Sequence, residues 1–149
     1  MEVLTLSDVV HNDKWTVVER TSDDEMQIIR FRYEFTPEMN LESLPAGIHV
    51  FWDFRPNKLG MPDDSTTLMK MEEFENDIVE KLERDLSGVL VSVLTLDGYR
   101  HWTFCVSSVD LFLERLNSLS QSEEPYPLEL EKADGSGWKY LFETIYQYK

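Results

Sequence analysis

The chain has 149 residues, and 14 Lys and Arg against 29 Asp and Glu leave it a formal charge of −15. That length fits a single domain spanning 1–149, and 42% hydrophobic with 12% aromatic residues is too rich for intrinsic disorder. A surface this negative repels phosphate backbones and anionic lipid, which excludes nucleic acid and membranes as direct partners.

Residues 1–14 read as a loosely ordered N-terminal segment. Met1 to Val10 has no basic region and Asp8 interrupts its short apolar stretch, so no signal peptide is expected. Trp15 to Thr21 is the first strand signal, followed by the polar turn Ser22-Asp23-Asp24-Glu25. From Met26 to Thr36 the residues alternate. Ile29, Phe31, Tyr33 and Phe35 share one face, and Ile28, Arg30, Arg32 and Glu34 share the other. Period two predicts a half-buried strand, and the two runs predict a hairpin. Pro37 to Pro45 connects to a strand at Gly47–Arg55. Its apolar face is Ile48, Val50, Trp52 and Phe54; its other face is His49, Phe51, Asp53 and Arg55. Pro56 to Thr67 reads as a loop.

Leu68 to Leu86 carries the strongest helical pattern, with Met71, Phe74, Ile78, Leu82 and Leu86 on one face. Gly88 reads as its left-handed stop. Val89 to Ser107 is split by Asp97-Gly98, the preferred two-residue hairpin turn. Leu96 should then oppose Tyr99, and Val89, Val91 and Val93 should face Val106, Phe104 and Trp102. A capped helix follows at Ser108–Ser120, then a loop at Glu123–Pro127 and a short strand at Leu128–Lys132. A turn at Asp134–Gly137, with Ser136 as a cap, leads into a C-terminal helix at Trp138–Tyr148.

From Gly47 onward the order is strand, helix, strand, strand, helix, strand. This predicts an α+β fold: a ferredoxin-like βαββαβ two-layer sandwich over 47–133, with an N-terminal β-hairpin and a C-terminal helix. Gly47–Arg55 should lie beside Tyr99–Ser107, parallel and central. Both helices should cover one sheet face, leaving His49, Phe51, Asp53, Tyr99, His101 and Thr103 on the open one.

The chemistry-bearing residues do not form a catalytic pattern. Cys105, the single cysteine, excludes an intrachain disulfide and suits a reducing compartment, so a cytoplasmic location is expected. Cys105 and His101 share a strand face, but four strand residues span about 13 Å, too far for a nucleophile and its base. Cys105 therefore reads as a buried structural residue. His11, His49 and His101 show no metal-ligand spacing, and neither a metal nor a cofactor is expected. Asp23-Asp24 and Asp63-Asp64 fall in turns, and Glu72-Glu73 point about 100° apart on a helix, so none is a catalytic dyad. Phe51 and Tyr99, with Arg30, Arg32, Arg55 and Arg100, suggest an RNA-stacking surface, which the net charge opposes.

Several pieces in order carry a resemblance: Trp15; Gly60-Met61-Pro62 before an acidic helix; Gly88–Val93; Asp97-Gly98-Tyr99-Arg100-His101-Trp102-Thr103-Phe104; and Asp134…Trp138…Tyr140. Together they resemble the bacterial domain-of-unknown-function family 695, itself similar to the domain of the ribonuclease E inhibitor RraB. The chain has Cys105 where that family often has Tyr, and Asp134-Gly-Ser-Gly-Trp138 where it often has Asp-Pro-x-Trp. The resemblance implies a ferredoxin-like fold and no established reaction; the RraB link hints at inhibition through protein contact.

The leading expectation is a small, acidic, non-catalytic regulatory or inhibitory module that binds a basic protein partner on its helical side. Glu72, Glu73, Glu80, Trp138 and Tyr140 are the candidate contacts. The alternative is a small-molecule-binding or hydrolytic site on the open sheet face, built from His49, Asp53, Tyr99 and His101. Arg100 would point to the opposite face if the hairpin register holds. A homo-oligomer is compatible with either reading.

Overall fold

The Asp97-Gly98 turn organises the centre of the sheet in a computed structural model that describes residues 4–22, 25–119 and 126–149. Both turn residues have positive φ, 42° and 88°, as this hairpin turn requires. It joins β4 (Gly88–Leu96) to β5 (Tyr99–Val106), with Leu96 opposite Tyr99 as expected. The register holds through Ser92↔Thr103 and then shifts across a bulge between Leu90 and Ser92. A one-residue slip sends the following side chains to the opposite face. Val89 therefore pairs with Cys105, and Leu90 with Phe104. The single apolar face predicted for Val89, Val91 and Val93 is split accordingly. Val93 and Leu90 join one core, while Val89 and Val91 join the other.

Outside this hairpin lie β1 (Trp15–Ser22), β2 (Glu25–Arg32), β3 (Ala46–Asp53) and β6 (Leu128–Lys132). They complete a six-stranded antiparallel sheet of order β1-β2-β4-β5-β3-β6. β3 lies beside β5 as expected, but antiparallel to it rather than parallel. The reason is the hairpin: β3 and β4 run the same way, and the turn at Asp97-Gly98 reverses β5 between them.

The helices correct the two-layer expectation. α2 (Ser65–Glu83) starts three residues earlier than its apolar pattern, because Asp64 caps it by accepting from the Thr67 backbone N–H. Leu86, not Gly88, takes the left-handed conformation after it. α3 (Val109–Asn117) is capped by Ser108. Met71, Phe74, Ile78 and Leu82 of α2 pack with Phe112 and Leu116 of α3 onto Ile48, Val50, Trp52, Trp102 and Phe104 of the sheet. The opposite face is covered too. α4 (Gly137–Glu143), a following 3-10 turn at Ile145–Tyr148, and the 33–45 connection bury Trp138, Leu141, Ile145, Phe35 and Leu44 against Ile29, Phe31, Val91 and Cys105. Residues 6–12, expected to be loose, form α1 (Leu6–Asn12) under this layer. A Thr5/Asp8 capping box starts α1, and its Leu6 and Val9 are buried. The fold is α+β, with helices on both sheet faces.

α4 comes close to the sheet because three small residues meet. A Cβ on Gly47 would sit 2.5 Å from the Gly137 nitrogen, and a Cβ on Gly137 would sit 2.6 Å from Cys105 Sγ. Cys105 Sγ and Gly137 thus lie against one another. The Asp23-Asp24 pair and residues 123–125 of the late loop lie outside the described residues.

Candidate functional site

β3–β5 pairing sets His49 opposite Thr103 and Phe51 opposite His101, so the two histidines lie diagonally on one face. His101 Nε2 is 2.8 Å from His49 Nδ1. Thr103 Oγ1 lies 2.9 Å from that same His49 nitrogen and 3.3 Å from His101 Nε2. Between two neutral rings, one N–H donates to the bare nitrogen of the other. Phe51 stacks on His101 with centroids 4.3 Å apart. Tyr140 of α4 lies edge-on to His49 at 4.7 Å and tilted over His101 at 5.8 Å. The face expected to be open therefore carries an aromatic lid over this pair.

Burial, reinforced by the neighbouring His49, pushes the His101 imidazole down to about 3, and burial lowers His49 against the pull of Glu131. Burial pushes the Tyr140 phenol up to about 12, a hydrogen bond with Thr103 working the other way. His101 is therefore uncharged throughout the neutral range and is badly matched to proton transfer there. Cys105 lies opposite Gly47, fully buried, and burial raises its thiol well above the ordinary value, so it is inert as a nucleophile.

Of the four candidates for the sheet face, His49 and His101 converge. Tyr99 reaches the cluster only through Phe51, at 6.1 Å. Asp53 does not join it: it is exposed at the far end of β3, four residues or about 13 Å from His49. Among the described residues, no three His, Cys, Asp or Glu side chains gather as a metal ion would need. Of the candidate partner contacts, Glu72, Glu73 and Glu80 are exposed on α2 and Tyr140 is half-buried over the histidines. Trp138 is a core residue, its indole N–H donating to the Leu44 carbonyl, which removes it as a partner contact.

Three of the four arginines of the suggested RNA surface point elsewhere, and the exposed Arg55 pairs with Asp63. Arg32 is buried and ion-paired with Glu83 and Asp13, while Arg30 pairs with Glu75 at 2.5 Å. Arg100 points to the α2 face, as the hairpin register requires. There it lines a cavity of about 340 Å³ with Ile28, Arg30, Glu72, Glu75, Val93 and Thr95. Sequence reasoning placed Arg100 on this side but did not find the cavity. The parity of β5 was the available signal, and the position of α2 over it was not readable.

No helix among the described residues is long and apolar enough to cross a membrane. Searches of curated proteins and of solved structures give no match. DUF695, a family of unknown function, matches residues 13–146, nearly the whole of the folded chain. The chain therefore belongs to the DUF695 family.

Proposed function

We propose that the protein is a non-catalytic cytoplasmic module that binds a basic protein partner along the outer side of α2, in a regulatory or inhibitory role. The carrying observation is how the helix divides its carboxylates. Glu75 and Glu83 turn inward to Arg30 and Arg32. Glu72 and Glu73 stay exposed, one turn from the exposed apolar side chains of Leu68 and Met69, and Glu80, also exposed, pairs with Arg84 further along the helix. An acidic rim around a small apolar patch suits a basic partner, with charge steering the encounter and apolar contact adding affinity. The neutral, lidded histidine pair and the inert Cys105 support a non-catalytic reading. For the fold, we infer a ferredoxin-like core from β3 to β6. Its support is the chain order β3-α2-β4-β5-α3-β6 together with the sheet order β4-β5-β3-β6. The hairpin β1-β2 extends that sheet beyond β4.

The test is charge reversal at two sites, read by capture from lysate at low and high salt. Glu73→Lys with Glu80→Lys should abolish a salt-sensitive capture by the native chain, while Glu38→Lys with Glu42→Lys, on the far connection, should leave it intact. Equal loss from both pairs, or capture indifferent to salt, would sink the proposal.

A further inference from the structure

The cavity beneath the first half of α2 contains two charges without an ionic partner. Arg30 and Glu75 neutralise each other across it, and the same Glu75 oxygen also accepts from the Trp102 indole N–H at 2.9 Å. Arg100 and Glu72 remain. Arg100 Nε donates to Thr95 Oγ1 at 2.8 Å, and among the described residues its guanidinium makes no ion pair. Glu72 makes none either. A half-buried guanidinium without a direct ion pair is unusual, since a charge withdrawn from water is ordinarily paired; Glu75 and Glu72 act on Arg100 only through space. Burial here does lower Arg100 from its ordinary value, though the guanidinium stays charged.

The two walls are chemically distinct. The strand wall presents Arg100, held in place by Thr95, with two guanidinium nitrogens left to form a bidentate pair with a carboxylate. The helix wall presents Glu72. Ile28 and Val93 line the strand wall beside Thr95 and Arg30. A simple anion would satisfy Arg100 but face the Glu72 carboxylate, and a simple amine would meet the converse. A molecule carrying both charges uses both walls and adds no net charge to the cavity. We propose that this cavity binds a small zwitterion of the amino-acid class, its carboxylate on Arg100, its ammonium toward Glu72 and an apolar side chain against Ile28 and Val93. The site shares Glu72 with the proposed partner surface of α2, but leucine binding is read independently of any protein partner.

The test uses the full chain and three probes of matched carbon skeleton: leucine, 4-methylpentanoate, which lacks the amine, and 3-methylbutylamine, which lacks the carboxylate. Calorimetric titration should detect leucine and find each analogue at least tenfold weaker. Arg100→Gln should remove leucine binding, and Glu72→Gln should weaken it at least tenfold, while Glu42→Gln, on the far connection, leaves it unchanged. Circular dichroism checks that Arg100→Gln folds; Glu72 is exposed, so Glu72→Gln keeps the test decisive if Arg100→Gln does not. The proposal fails if leucine does not bind. It also fails if 4-methylpentanoate binds as tightly as leucine, or if Glu72→Gln behaves like Glu42→Gln.

Discussion

Lowering the pH from 7 to 5 should destabilise the fold through His101, and the size of the effect follows from its surroundings. The ring is 9% exposed, stacked on Phe51 and bonded to His49, and titrates in the folded chain near about 3 against an ordinary 6.5. Below pH 6.5 the unfolded chain takes up a proton that the folded chain refuses. Stability is therefore full above 6.5 and is lost progressively as the pH falls toward 3. At pH 5 the loss covers about 1.5 units at 1.36 kcal/mol each, or about 2 kcal/mol. His49, also lowered by burial, acts in the same direction. With a urea slope of about 2 kcal/mol per molar, the midpoint should fall by about 1 M. Urea denaturation followed by circular dichroism at both pH values measures this, with His101→Gln as the comparison because it fills the site without titrating. Carboxylates titrate in both proteins, so the difference between their pH losses isolates the imidazole. If His101→Gln loses as much stability as the native chain between pH 7 and 5, the ring is not held neutral by its burial and the reasoning fails.

Three further outcomes are expected from denaturant titration at pH 7. Arg32→Ala should cost about 3–5 kcal/mol, because it strands the nearly buried Glu83, whereas Arg55→Ala, at an exposed pair with Asp63, should change stability by less than about 0.5 kcal/mol. Gly137→Ala should cost about 1–3 kcal/mol through its clash with Cys105 Sγ. Adding Cys105→Ala should recover part of that loss, but should recover nothing for Gly47→Ala, whose clash is with backbone. Ser92→Ala should be neutral or stabilising by up to about 1 kcal/mol, since the buried Ser92 hydroxyl has no hydrogen-bond partner among the described residues.

The local grammar of the chain was readable wherever one signal was self-sufficient. Asp97-Gly98 determined a hairpin and its first pairings because two adjacent positive φ angles admit few residues. Met71, Phe74, Ile78 and Leu82 determined a helix and its buried face because a 3.6-residue period has one solution. Leu128–Lys132 matched the observed strand to the residue. The Thr5/Asp8 capping box is a local signal for α1, but the seven-residue helix is too short to show a period of its own and is held by burying Leu6 and Val9.

What the sequence by itself determined was the set of elements after α1, the alternating faces of β2 and β3, the extreme negative charge and the side of the sheet on which Arg100 stands. The tertiary structure alone decided which faces stay open. The bulge between Leu90 and Ser92 exchanges residues between the two cores, and no local preference announces it. The docking of α4 depends on Gly47, Cys105 and Gly137, three residues separated by 58 and 32 positions in sequence that carry no periodic signal, only the absence of bulk. That docking lowers Tyr140 onto His49 and His101 and turns an apparent open site into a covered, neutral pair, His101 buried and His49 half-buried. On the other face, placing α2 over β2 and β5 consumes Arg30 and Arg32 in ion pairs and leaves Arg100 opposite Glu72. Charge is written in the sequence, but the pairing of charges depends on distances that only the packed chain defines.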